Sequence, residues 1–327
     1  MIMNIGKLYH KIVLTSPRVE VMVRKLYWDN VKYLKKFIKV SSIDTSEDVP
    51  SADFKKVLKY LRENGVAEND TIVVHSSYGA LSGTKLSAEE IIEGLISLIG
   101  RGGTLAMPAI RHFAEEGEGD DYILNYINNE LKNTITLYDI YRSPVTSGLL
   151  PFTLMRYDDA EVSRFPLNPL VAVGAFAADI MKGNVEGNLP SAHGPNSAWA
   201  RCADLNAWNI GIGIEMKEFL TMFHICQEDD DWPVKEEEWY FERDFIIKSG
   251  KERTPLRIRE RKHKWTKYFA ESNFYNDMTK SNILKSTMID GIQVFMVRSK
   301  DMLDFIKSQK IPTYPYLIPK KFLKSGN

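Results

Sequence analysis

The chain has 327 residues, 43 Lys+Arg against 43 Asp+Glu, and a formal net charge of zero. That length buries a full core, and the neutral balance excludes both a generic nucleic-acid binder, which needs a basic surplus to hold phosphates, and an acidic disordered chain. Two cysteines, Cys202 and Cys226, are too few for a disulfide scaffold or a cysteine zinc site. No apolar run approaches the roughly 20 residues of a membrane-spanning helix, and Lys7 and Lys11 interrupt a start that has no small-residue cleavage site, so a cytoplasmic protein is expected.

In chain order, residues 1–40 stand apart, with nine Lys/Arg against Glu20 and Asp29. Val23, Leu26, Tyr27, Val31, Leu34 and Phe37 recur there at helical spacing. This predicts a basic amphipathic helix, either packed on the domain or held weakly at an anionic membrane surface. Ser, Asp and Pro in residues 41–51 read as a linker. The expected division is an extension with linker over residues 1–50 and one α/β domain over 51–327.

The domain opens with a helix over residues 52–64, Phe54, Val57, Leu58 and Leu61 on one face. A strand follows at 71–74, then a helix at 87–99 whose Ser87 and Glu90 have capping-box spacing, then a buried strand at 104–108. Strand, crossover helix and strand at this spacing imply a parallel pair. Further strands are expected at 170–173, 208–212 and 292–297, with helices at 175–182 and 300–308. There is no internal repeat and no low-complexity tract.

Common catalytic signatures are missing. There is no Walker loop, no Gly-x-Gly-x-x-Gly after a strand and no Gly-x-Ser-x-Gly elbow. Gly211-Ile212-Gly213 follows a strand but lacks the third glycine. No histidine pair has metal-ligand spacing, so no metal is expected. His75, His112, His193 and His224 fall at strand ends or glycine loops, where α/β proteins place active groups.

Three blocks carry a resemblance. The first is Val74-His75-Ser76-Ser77-Tyr78-Gly79-Ala80-Leu81-Ser82-Gly83, followed after a helix by Gly103-Thr104-Leu105-Ala106-Met107-Pro108. The second is Ser143-Pro144-Val145-Thr146-Ser147-Gly148-Leu149-Leu150-Pro151, then Ser163-Arg164-Phe165-Pro166 and Ala172-Val173-Gly174. The third is Ser191-Ala192-His193-Gly194-Pro195-Asn196-Ser197, then Gly211-Ile212-Gly213 and Thr221-Met222-Phe223-His224. In order and spacing the chain resembles the aminoglycoside 3-N-acetyltransferase family from about Asp53 onward. The resemblance implies an α/β/α fold with a mixed central sheet, acetyl-coenzyme A as cosubstrate, and a primary amine of an amino sugar as acceptor.

Direct attack of an amine on a thioester needs a free lone pair, a stabilised oxyanion and a held pantetheine arm. The resemblance makes His224 the general base. The family's Glu three residues on is replaced by Gln227, with Glu228 one further as the expected partner. The expected cosubstrate contacts are Ser76, Ser77, Ser82, Lys85, Thr104, Met107, Ser191, Gly194 and Ser197. Of these, Ser76 and Ser77 offer hydroxyls and N–H groups to the thioester oxygen, and Lys85 offers charge to phosphates. His75, Tyr78 and His193 are expected acceptor contacts. Phe165 and Pro169 stand where the family carries His and Ser, which suggests a changed acceptor pocket.

Two acceptors are open. The acidic runs 228–231 and 236–238 suit a polycationic aminoglycoside. Residues 243–267 hold ten basic residues against Asp244, Glu252 and Glu260, and Arg253 and Arg257 with nearby aromatics suit a pyrophosphate and a stacked base. The latter favours a nucleotide-linked amino sugar for surface polysaccharide, with the antibiotic as the alternative. A non-catalytic relative binding coenzyme A or a glycan is the reading of another class, supported by Gln227. Beyond the small molecule, weak membrane-surface contact through residues 1–40 and a homo-oligomer are further partner expectations.

Overall fold

A computed structural model describes residues 12–30, 51–116 and 130–324. Most of the linker, 41–50, and the basic residues 31–40 lie outside the described residues. The elements in order are α1 (Pro17–Asp29), α2 (Phe54–Glu63), β1 (Thr71–Ser76), α3 (Ala88–Ile99), β2 (Thr104–Pro108), β3 (Ile135–Asp139), α4 (Leu149–Leu154), β4 (Glu161–Val162), β5 (Leu170–Gly174) and α5 (Ala177–Met181). Then come α6 (Ala198–Asp204), β6 (Trp208–Ile212), α7 (Glu236–Trp239), β7 (Tyr240–Ser249), β8 (Glu252–Arg261), α8 (Glu271–Lys280), β9 (Lys285–Ile289), β10 (Ile292–Arg298) and α9 (Ser299–Lys307).

Seven strands form one mixed sheet in the order β4-β5-β2-β1-β6-β10-β9, and β3-β7-β8 form a second. The predicted pair is parallel, Thr71 opposite Thr104 and Val73 opposite Ala106, joined by α3. Ser87 and Glu90 close both bonds of the capping box at the start of α3. β6 runs parallel on the other side of β1, with His75 opposite Gly211 and Ser76 opposite Ile212.

The two-residue period of the strands sorts the core into two layers. On one face Ile72, Val74, Leu105 and Ile210 pack with α2, α3 and the inner side of the second sheet. On the other face Val73, Ala106, Ala172 and Phe295 pack with α6, α8, α9 and a group of large aromatics that includes Trp199, Trp239 and Trp265. β1 therefore ends with His75 pointing into the second layer. The carboxyl ends of β1, β2 and β6 meet at one edge, the place where α/β sheets open toward ligands.

The N-terminal helix turns inward. Glu20 is 1% exposed, and its carboxylate accepts from Ser272 N at 2.7 Å, Asn273 N at 3.0 Å and Asn273 Nδ2 at 2.7 Å. Arg24 pairs with Glu271 at 2.8 Å. Of the two roles expected for this helix, its described part takes the packed one.

The basic segment folds as strands. β7 and β8 form a ten-residue antiparallel hairpin, Tyr240 opposite Arg261 and Ser249 opposite Glu252. Alternation puts Phe241, Arg243, Phe245 and Ile247 inward on β7 and Ile258 and Glu260 inward on β8, while Arg253 and Arg257 face solvent.

Candidate active site

Two cavities lie at the sheet edge and share Ile110. The first, about 490 Å³, is walled by residues 74–79, by Pro108, by residues 146–148 and by Ile214 and Glu218. It puts the His-Ser-Ser block at the end of β1 against the Thr146-Ser147-Gly148 loop. Ser147 fixes that loop, its hydroxyl donating to Pro108 O at 2.6 Å and accepting from Ile110 N at 3.0 Å. Gly213 closes the turn beneath Ser77. Its φ is +67°, and a Cβ there would come 2.7 Å from Ala80 Cβ, so only glycine allows this approach. The Tyr78 hydroxyl donates to Leu86 O at 3.1 Å and orients the ring.

His75 lines this first cavity, packed between Trp199 and Phe219 at 5.9 and 6.2 Å between ring centroids. Burial pushes its pKa down to about 4, against a smaller upward pull from the Glu218 carbonyl. It is neutral at physiological pH, and among the described residues its Nε2 has no partner.

The second cavity, about 340 Å³, is lined by Pro166, Leu167 and Asn168, by Ala192 and His193, by Thr221, His224 and Glu228, and by Glu116 and the end of β8. The Trp199 ring separates the two cavities' histidines, 5.6 Å from His193 and 5.9 Å from His75. Its Nε1 donates to Asn168 O at 2.8 Å.

Glu228 does not hold His224. It turns to His193 instead, accepting from His193 N at 3.0 Å and standing 3.4 Å from His193 Nδ1. The register explains this: four residues past His224, at the end of a 3-10 turn, the carboxylate points at the 191–194 loop. Burial pushes the Glu228 carboxyl up, but the hydrogen bonds and charge of His193 and the facing Ser191 hydroxyl pull it below the usual range. Glu228 is thus an anion. It favours a donating Nδ1–H on His193, which leaves Nε2 as the lone pair; that atom has no partner among the described residues.

His224 sits 5.2 Å from His193, ring to ring, under other constraints. Gln227 Oε1 lies 2.8 Å from its Nδ1. Arg261 Nη1 lies 2.6 Å from Nδ1 and 3.2 Å from Nε2. A guanidinium only donates, so His224 must present a lone pair to it and stay neutral. Burial, then Arg261, then His193 depress its pKa well below the ordinary value.

The remaining expected contacts divide by position. Ser76, Ser77, His75 and Tyr78 line the first cavity, and His193 the second. Ser191 and Gly194 shape the loop under Glu228; a Cβ on Gly194 would meet Ser191 Oγ at 2.6 Å. Thr104 is corrected: it begins β2 at the opposite end of the strand, fully buried, and its hydroxyl accepts from Phe176 N at 2.9 Å. Met107 is core. Ser197 is the N-cap of α6, accepting from Ala200 N. Ser82 and Lys85 are exposed on the 3-10 turn after β1 and line neither cavity.

Arg257 is paired with Asp244 at 2.7 Å on the outer face of the hairpin, and neither it nor Arg253 lines the cavities. Three residues of the acidic runs are ion-paired at the surface: Asp229 with Lys307, Glu236 with Arg259, Glu238 with Lys264. Sequence reading gave Arg261 no separate role and passed over Glu116 and Glu260, which line the second cavity. Alternation along residues 257–261 was the available signal for Glu260, which falls in step with the buried Ile258.

Comparison with known proteins agrees with this fold. The family model for aminoglycoside 3-N-acetyltransferase matches residues 73–309. An aminoglycoside N(3)-acetyltransferase IX from Micromonospora chalcea is 27% identical over 166 residues, which are 50% of this chain and 57% of that relative, so the match spans little more than half the relative's own length. The crystal structure of the aminoglycoside acetyltransferase AAC(3)-Xa superposes with a TM-score of 0.61 at 18% identity, over 78% of this chain and 91% of the other. AAC-IIIb solved with CoASH does so at 0.60 and 19% identity, over 78% and 94%. With the family model matching well over half its length, the chain belongs to the aminoglycoside 3-N-acetyltransferase family.

Proposed function

We propose that this chain transfers the acetyl group of acetyl-coenzyme A to a primary amine of an amino sugar. The observation that carries the reading is the pair of cavities meeting at Ile110, one ending at Ser76 and Ser77, the other at the His193–Glu228 pair. The first cavity takes the pantetheine arm, consistent with a structural neighbour solved with CoASH. Ser76 and Ser77 offer hydroxyl and backbone donors to the oxygen that gains charge as the thioester carbonyl becomes tetrahedral.

The acceptor enters the second cavity. Its ammonium must lose a proton before the nitrogen attacks. His193 is the base this geometry supports best: Glu228 orients it and stabilises the imidazolium that forms. His224 is less suited, because Arg261 occupies its lone pair and opposes a positive charge. It serves as a wall of the cavity. After the amine attacks, the attached nitrogen gives its second proton to solvent as the tetrahedral intermediate expels coenzyme A thiolate, and the proton held by His193 goes to that thiolate.

Between the two acceptors, the aminoglycoside kind has the better support. The relative from Micromonospora chalcea carries that name, and of the basic run from Arg253 to Lys262 that favoured the nucleotide-linked acceptor, Arg253 and Arg257 lie outside both cavities while Arg259 is paired with Glu236. A panel of aminoglycosides and simple amino sugars, followed by thiol release from acetyl-coenzyme A, tests the reading. At least one acceptor should give amine-dependent turnover, and His193→Gln should lower kcat by about 10²-fold or more while His224→Gln costs less. Full turnover in a folded His193→Gln variant would remove His193 from the reaction, and no amine-dependent release with any acceptor would overturn the activity.

A further inference from the structure

Where the two cavities meet, one apolar side chain is held with more bonds than a loop residue needs. Ile110 lines both cavities and is partly buried. Its N–H donates to Ser147 Oγ at 3.0 Å, and its carbonyl accepts from Thr146 N at 2.8 Å and Thr146 Oγ1 at 3.3 Å. One residue earlier, the buried Ala109 donates its N–H to Pro169 O at 2.8 Å. One residue later, Arg111 pairs with Val145 along the backbone, and its guanidinium donates to Ser143 O at 2.8 Å and to Ile140 O at 2.9 Å. The chain at 109–111 therefore cannot retreat without breaking several hydrogen bonds together. A β-branched side chain on that backbone also has few rotamers to move into.

From this geometry we infer that Ile110 is an acyl gauge, setting how long an acyl group the thioester donor can carry. The inference rests on the proposed reaction and concerns its donor. Sulfur and pantetheine occupy the first cavity, and the amine arrives from the second, so the acyl group being transferred stands at their junction. A methyl fits beside Ile110. A longer acyl tail has to share the space with a branched side chain whose backbone is fixed, and the rigid ring of Pro108 stands two residues before it on the same wall of the first cavity. Walls packed this tightly do not yield to added carbon without strain. Each methylene beyond acetyl therefore lowers use of the donor, by a factor on the order of ten.

The gauge is tested by binding as well as turnover, so that it can fail separately from the activity. Titration calorimetry without any acceptor compares acetyl-coenzyme A, butyryl-coenzyme A and free coenzyme A on the wild-type chain, Ile110→Ala, Ile110→Val and Ile110→Leu. For the two thioesters, kcat/KM with an aminoglycoside is measured beside it. The wild type should favour acetyl over butyryl by about tenfold or more. Ile110→Ala should narrow that ratio by roughly tenfold through a gain with butyryl, Ile110→Val should narrow it less, and Ile110→Leu, which keeps the volume, should hold it. Free coenzyme A, with no acyl group to measure, should bind all four chains alike. Equal use of the two thioesters by the wild type overturns the gauge. So does an unchanged ratio in whichever of Ile110→Ala and Ile110→Val still binds free coenzyme A. If no amine is acylated while the binding ratios behave as stated, the proposed activity falls and the gauge stands.

Discussion

His75 shows how one residue's surroundings decide its chemistry. Next to a strand end and two serines, it reads in sequence as a polar contact for the acceptor. The fold seats it between Trp199 and Phe219, where the charged form is unstable. This has a measurable consequence for stability. Above pH 6.5 the imidazole is neutral both folded and unfolded and contributes no pH dependence. Below that the unfolded chain binds a proton that the native chain refuses until about pH 4, so stability falls as pH drops through this window. Between pH 7 and pH 5 the loss is about 2 kcal/mol from this group. His224 and His263, also depressed, add in the same direction. The measurement is therefore a difference: urea unfolding of wild type and His75→Gln at pH 7 and pH 5. The wild type should lose about 2 kcal/mol more than the variant over that interval; equal losses would mean that the native imidazole protonates as readily as the unfolded one.

Elements were legible where periodicity was strong and opaque where charge disguised it. β1, β2, α2, α3, β5, β6, β10 and α9 are apolar runs or clear amphipathic helices with caps, and sequence places each within a few residues. The β7–β8 hairpin was missed because its inward positions include Arg243 and Glu260, so the alternation that marks a strand is written in charges. The N-terminal helix was legible as a helix, but its docking was not. Nothing in sequence says that Glu20 reaches residues 272–273 at the start of α8, whose own N-cap position is Ala270 with no side-chain cap. The carboxylate satisfies the free N–H groups of that helix and meets the positive end of its dipole. Glu20→Ala strips two buried backbone donors and the Asn273 amide of their acceptor, and should lower stability by about 2 kcal/mol. Arg18→Ala on the exposed side of the same helix should change it by less than about 0.5 kcal/mol. Matching urea midpoints for the two variants would show that α1 is not a working part of the domain fold.

The whole molecule joins a parallel-centred sheet to a small second sheet across one apolar core, with a buried ionic joint beside it. Arg243 rises from β7 with its side chain fully buried and bonds Glu116 beyond β2, Glu260 on β8 and Thr136 on β3. Its guanidinium also lies 4.6 Å from the Phe245 ring centroid and 5.9 Å from that of Phe113. The two carboxylates respond differently to sharing one cation. At Glu116 burial outweighs Arg243 and raises the pKa. At Glu260 burial pushes up, but His263 and Arg243 together bring it below the ordinary value. Both carboxylates also line the second cavity, so the ionic joint shapes the wall where the acceptor is proposed to sit. This coupling is why the zero net charge says so little: the charges that matter are buried and paired, Arg243 with Glu116 127 residues away and with Glu260 17 residues away. Arg243→Met leaves two buried carboxylates without their cation and should cost about 3–5 kcal/mol. Replacing the triad together, with Glu116→Gln and Glu260→Gln added, removes the uncompensated charge and should recover most of that loss. Urea unfolding of the single and triple variants decides the matter. A single variant as stable as wild type would show that the carboxylates are held by other partners, and a triple variant as unstable as the single one would show that the loss is packing around the Arg243 stem and not charge.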